Sequence, residues 1–397
     1  MYPIKLNAFF YWLLLVIFML NEPMPVSAQQ NPALLALPDG VWTALPNTAI
    51  NDVSGMDIGC CDYTLGCDHS GIFSYSGATL DTQGQRIILW GGGHNDYFGN
   101  QLLIFDIASL QWQMQTQPTS VCFFNDTPDY QFTNGLPVSR HTYDHIGYIN
   151  HLDVFFAFSG ATADAPPFNN GTSYGDAWTY AFNGAGWVDR TPGLSGDQGF
   201  RLAEPGASGE YDPLTQAWFQ ISQYGIWRLD FNNYRWTQLS ETGHPGIERV
   251  SVLDTQRRLI WTYGGDYGGD ARLSSYAIDS NTFTIVSEQN LPGATSGAGL
   301  VYDSANDQLV LFGNGQSNSV FNYDIGQGVW TEFASNNGPP ATRRLYGRFQ
   351  YDAINNVFFL IDSMETVWVW KNQLGSNLPD IIFEDGFEEM LSVQESM

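Results

Sequence analysis

Gly209-Glu210-Tyr211-Asp212, Ala217-Trp218-Phe219-Gln220-Ile221, Ile226-Trp227-Arg228-Leu229-Asp230 and Tyr234-Arg235-Trp236-Thr237 follow one another with only short turns between them. Each run is brief and rich in β-branched or aromatic residues, and Asp, Asn, Pro or Gly punctuates the gaps. That composition reads as four consecutive strands joined by tight turns. The same unit recurs along the chain, which is the signature of a repeat architecture. A lead-in ends in Tyr-Asp or Leu-Asp, and an apolar run often ends in Gly-Gly. A strand ending in Asp and a strand centred on Trp then follow.

The first copy reads Ala78-Thr79-Leu80-Asp81, Arg86-Ile87-Ile88-Leu89-Trp90-Gly91-Gly92, Leu102-Leu103-Ile104-Phe105-Asp106 and Gln111-Trp112-Gln113. The second occupies 154–160, 177–180 and 186–188, and the fourth 259–265 and 275–279, with Phe283 in place of the Trp. The fifth has Val301-Tyr302-Asp303, 309–313, 321–324 and Trp330. The sixth has Gln350-Tyr351-Asp352, 357–361 and 367–370, then stops one strand short. Val41-Trp42-Thr43-Ala44-Leu45 matches the fourth-strand pattern and lacks three strands of its own. An N-terminal strand that completes the last blade would close a ring and leave no open edge. The expectation is an all-β, six-bladed propeller of four-stranded antiparallel blades over residues 29–372. Seven blades would require residues 51–71 or 118–137 to hide a degenerate one.

The segments outside the ring read differently. Lys5 precedes an apolar run at 8–20, and Val26-Ser27-Ala28 offers small residues at −3 and −1, as a signal peptide does. Residues 1–28 are therefore expected to be removed near Ala28, leaving a secreted, periplasmic or surface protein. No further long apolar run follows, so no later transmembrane segment is expected. With a formal net charge of −26 and only Lys5 and Lys371 as lysines, nucleic acid is excluded as a partner. A monomer meeting an extracellular glycan or protein is expected. Cys60, Cys61, Cys67 and Cys122 fit disulfides in an oxidising compartment. The adjacent Cys60–Cys61 pairing would be strained, leaving one of them with Cys67 and the other with Cys122; a zinc site is the alternative. Residues 373–397 form an acidic tail.

The Gly-Gly doublets at 91–92 and 264–265, the Tyr/Asp strands and the trailing Trp resemble kelch repeats and the propeller of galactose-oxidase-like proteins. Pro137-Val138-Ser139-Arg140-His141 resembles a kelch lead-in of Pro-x-x-Arg-x-His type, with the His one place early. Ile382-Phe383-Glu384-Asp385-Gly386-Phe387-Glu388 resembles a short C-terminal motif of some exported bacterial proteins. The propeller resemblance implies that the loops from strand two to strand three, and the lead-ins to the next blade, surround one mouth of the axis.

Those loops concentrate chemistry. They carry Gly93-His94-Asn95-Asp96-Tyr97, Asp266-Tyr267 and Asn314, together with Arg140-His141-Thr142-Tyr143, Arg249, Arg343 and Arg344. Guanidinium forks hold carboxylate or sulfate, which points to an anionic carbohydrate. His94, His141, Tyr97 and Tyr143 are the candidate proton-transfer groups, and with the arginines they would suit β-elimination on a uronate polysaccharide. Bland roles compete: an arginine in a kelch lead-in often bonds loop carbonyls between blades. A copper-radical oxidase would need two His, two Tyr and a cross-linked Cys, and every cysteine here lies elsewhere. Calcium could be held by Asp57, Asp62 and Asp68, although their spacing fits no known loop. The metal is otherwise unassigned, and His151 and His244 read as ordinary loop residues.

Overall fold

The computed structural model describes residues 29–53, 69–93, 97, 99–119, 130–132, 134–162, 175–265, 271–293, 296–334 and 337–372. The signal-peptide stretch, all four cysteines, His94, Asn95, Asp96, Asp266, Tyr267 and the acidic tail lie outside these residues. Six four-stranded antiparallel sheets follow in chain order. Blade one comprises Ala78–Asp81, Arg86–Leu89, Leu103–Asp106 and Gln111–Met114, and blade two Ile146–Ile149, Val154–Phe158, Ala177–Ala181 and Gly186–Asp189. Blade three comprises Ser208–Asp212, Ala217–Ser222, Gly225–Asp230 and Arg235–Ser240, and blade four Val250–Asp254, Leu259–Gly264, Arg272–Ala277 and Thr282–Ser287. Blade five comprises Gly299–Asp303, Gln308–Phe312, Val320–Asp324 and Val329–Phe333. In blade six, Phe349–Asp352, Val357–Leu360 and Trp368–Trp370 are joined by Trp42–Ala44, with Trp42 opposite Trp370. Innermost strands adjoin in sequence, and that of blade six adjoins that of blade one, so the sheets form a ring.

The second strands are mainly apolar, with Gln220 and Thr262 among the buried exceptions, because both faces are covered. In blade one, Ile87 and Leu89 pack toward Val357, Phe359 and Val369 of blade six. The alternate residues Ile88 and Trp90 pack toward Ile146, Phe155 and Ala157 of blade two. The core is thus a set of apolar layers between blades. The sequence predicts no helix after residue 28, and among the described residues there is one α-helical turn, Pro32–Leu35, whose Leu34 is buried. Asn31 caps it by accepting from Ala33 N at 2.9 Å, while its own Nδ2 donates to the Ile107 carbonyl at 2.8 Å. Blade three carries an additional edge, Ser195–Gly196, running parallel to Arg235–Trp236.

The Asp that ends the first strand of every blade but the second has a local cause. Asp81, Asp212, Asp254 and Asp303 each accept from the backbone N–H groups two and three residues on. Two residues after those N–H groups begin, the chain passes through a left-handed position, at Gln85, Gln216, Arg258 and Asp307. The carboxylate thereby fixes an Asx-type turn between strands one and two. Much of the negative charge is turn chemistry. Asp303→Ala is expected to lower unfolding free energy by about 1–3 kcal/mol, read from the midpoint of chemical denaturation.

Candidate functional site

The glycines that end the second strands press against lead-ins at one end of the ring. A Cβ on Gly93 would lie 2.4 Å from Arg140 Cα, one on Gly264 2.9 Å from Arg249 Cα, and one on Gly313 2.6 Å from a Leu345 methyl. The φ of +75° at Gly93 is the backbone freedom that this close approach needs.

Just before each innermost strand, the chain passes through a left-handed residue: Tyr75, Tyr143, Gly206, Glu248, Gly297 and Tyr346 in blades one to six. Backbone bonds link several of these across blades. Tyr143 N donates to the Tyr75 carbonyl at 2.7 Å, Gly297 N to that of Glu248 at 2.7 Å, and Tyr346 N to that of Gly297 at 3.1 Å. Left-handed backbone costs an L-residue about 1–2 kcal/mol, so three tyrosines and a glutamate here are conspicuous.

Their side chains converge. Tyr143 meets Tyr75 edge-on at 5.8 Å and Tyr346 at 5.6 Å. The His141 ring stacks on Tyr75 at 4.8 Å and lies 6.0 Å from Tyr143. The Arg344 guanidinium sits 4.2 Å from the centroid of the Tyr75 ring, and its Nε is 3.9 Å from Glu248 Oε2. Arg344 keeps 28% of its side chain exposed, whereas Glu248 keeps 4%. Burial drives the Tyr143 phenol upward, Glu248 and Tyr75 add to the rise, and Arg344 opposes it. That phenol stays protonated across the physiological range. The assembly offers a largely buried aromatic floor with one partly exposed guanidinium over it. Arg343 beside it is exposed.

No protein-family model matches this chain. The curated proteins searched contain no match either.

The other site residues have different destinations. Arg140, 1% exposed, pairs with the Asp176 carboxylate and donates to the carbonyls of Ser159, Tyr130 and Val138. Arg249 is fully buried and donates to Glu204 Oε2 at 3.1 Å and the Ile221 carbonyl at 3.3 Å. These two guanidiniums clip loops together and do not reach the mouth. Arg348 behaves likewise, donating to the carbonyls of Ser76, Phe73, Ile361 and Arg344. Tyr97 is buried in the layer between blades six and one, with its hydroxyl bonded to Gln101. Burial pushes its phenol up to about 12. Asn314 folds onto its own loop, accepting from Gln316 N and Ser317 N at 3.0 and 2.9 Å.

His244 departs from the sequence reading, because it is fully buried with Nε2 3.1 Å from the Gly264 carbonyl. Burial, with Arg249 nearby, takes its pKa down to about 3. Among the described residues, no three His, Cys, Asp or Glu side chains come together as metal ligands. The sequence does not single out Tyr75, and it offers Tyr346 only as part of the lead-in 343–348. Aligning the innermost strands would have found them, since both precede their strands by the same three residues as Tyr143.

Proposed function

We propose that this is an exported, kelch-like propeller that binds a carbohydrate, anionic in character, at the mouth where Arg344 and Tyr75 are partly exposed above the buried His141, Tyr143 and Tyr346. The observation that carries the reading is the partly exposed Arg344 guanidinium lying over the Tyr75 ring. A guanidinium donates to a carboxylate in a fork, and the Tyr75 ring, stacked by His141 on one face and covered by Arg344 on the other, holds that guanidinium in place. Exposed Arg343 adds positive charge at the same rim. The export reading is supported by the N-terminal sequence, and the kelch reading by Arg249, which ties the lead-in of blade four to the Ile221 carbonyl of blade three.

Binding is better supported than lyase chemistry. A tyrosine base for β-elimination needs a phenol that ionises readily, and burial and Glu248 move Tyr143 the other way. His141, 2% exposed, is poorly placed to reach a substrate carbon. The copper-radical alternative would draw on Tyr97, which is engaged with Gln101 in the core.

Calorimetric titration of the mature protein with uronate and neutral oligosaccharides tests the reading. A uronate oligosaccharide is expected to bind, and Arg344→Ala to weaken it by roughly 10-fold or more, as for a lost charge-assisted bond. Failure of every saccharide to bind, or unchanged binding by Arg344→Ala, would sink the proposal and turn attention to a protein partner.

A further inference from the structure

Beneath the mouth, the axis holds a chamber of about 290 Å³ bounded by residues from all six blades. Two carboxyls face it, Asp144 from the lead-in of blade two and Glu210 from blade three, with Ser251 of blade four between them. Ser251 N donates to Asp144 Oδ2 at 2.7 Å. Ser251 Oγ lies 3.3 Å from that same oxygen and 3.1 Å from Glu210 Oε1. A hydroxyl carries one hydrogen, so it can donate across only one of these two contacts. The other would set acceptor against acceptor unless a carboxyl supplies the hydrogen.

Among the described residues, nothing cationic lines the chamber: its other titratable side chains are the phenols of Tyr148, Tyr211 and Tyr346. The basic groups nearest in sequence are engaged elsewhere. Arg249 bonds Glu204, Arg348 bonds backbone carbonyls, and His145 has Nδ1 3.2 Å from the Phe158 carbonyl. Burial takes His145 down to about 4, leaving it neutral.

We propose that Asp144, Ser251 and Glu210 form a pH-sensitive latch, in which one proton held between the two carboxyls joins blades two, three and four across the axis. Burial raises both acids above the ordinary carboxylate range, and the proximity of Asp144 raises Glu210 further. The linkage has a definite sign. Unfolded, both acids ionise near pH 4, so between there and their raised folded values the native state holds more protons. The latch contributes fully below that window and is lost as pH rises through it.

Thermal unfolding of the mature protein and of Glu210→Gln tests this over about pH 5 to pH 9. The variant lacks the second ionisation, so it is expected to lose less stability on alkalinisation than the wild type, by roughly 5 °C in melting temperature. A wild-type-minus-variant difference that stays constant with pH would overturn the proposal. Infrared difference spectroscopy between the same two proteins at neutral pH supplies a readout independent of stability. The carbonyl stretch of a protonated carboxyl is expected in the wild type and lost in Glu210→Gln; identical spectra would also overturn it. The latch uses neither Arg344 nor Tyr75, so its failure leaves the carbohydrate reading untouched.

Discussion

Trp42→Ala is expected to lower the unfolding free energy by about 3–5 kcal/mol, the range for truncating a large core aromatic. Trp42 is 3% exposed and contacts Phe312 at 4.8 Å, Trp370 at 5.6 Å and Phe349 at 6.4 Å. Its indole therefore fills the layer between blades five and six while its strand completes the sixth sheet. The void left behind is not easily closed, because rigid aromatic rings and the Gly338 backbone line it. Against a typical total of about 5–15 kcal/mol, that loss is severe. Guanidinium unfolding followed by circular dichroism checks it. A change under about 1 kcal/mol would mean that the seam between the chain's two ends contributes little to the ring.

Asp176→Ala is expected to cost a similar amount, about 3–5 kcal/mol, for an electrostatic reason. Asp176 is completely buried and is the carboxylate partner of the buried Arg140 guanidinium. It also accepts from Trp178 Nε1 at 2.7 Å. Truncation leaves a charge in the interior with only carbonyl dipoles to hold it. Replacing Arg140 and Asp176 together with apolar residues of similar volume should recover much of the loss, since neither charge is then stranded. Denaturant midpoints of the single and double variants decide the matter. Equal losses in both would show that packing, not charge, governs the pair.

The repeat was legible because local rules repeat six times. The Asp that ends a first strand is bound to its own turn, as Asp81 and Asp303 are, and needs no distant partner to be recognised. The trailing Trp marks the outer strand for the same reason, which is how Trp42 could be assigned to a blade more than 300 residues away. The candidate site was only partly legible. Sequence places Arg140, Arg249 and Arg344 at equivalent lead-ins, yet two turn inward to acids and one lies over an aromatic ring. That choice depends on whether Asp176 or Glu204, 36 and 45 residues away, arrives beside the guanidinium. No local pattern encodes it. Tyr75 escaped notice because it precedes the first full repeat; the lead-ins contain Asp144 and Glu210, but their meeting at Ser251 is invisible in sequence because it arises only when three blades are assembled.

The ring of left-handed residues has one more implication. Gly206 and Gly297 occupy two of its six positions, and Tyr75, Tyr143, Glu248 and Tyr346 the rest, all at positive φ. The two glycines are closed positions: a Cβ on Gly206 would lie 2.5 Å from Glu248 N, and one on Gly297 2.7 Å from the Tyr346 ring. The other four behave as sockets, so the chemistry presented at the axis is rewritten at those positions and not at the glycines.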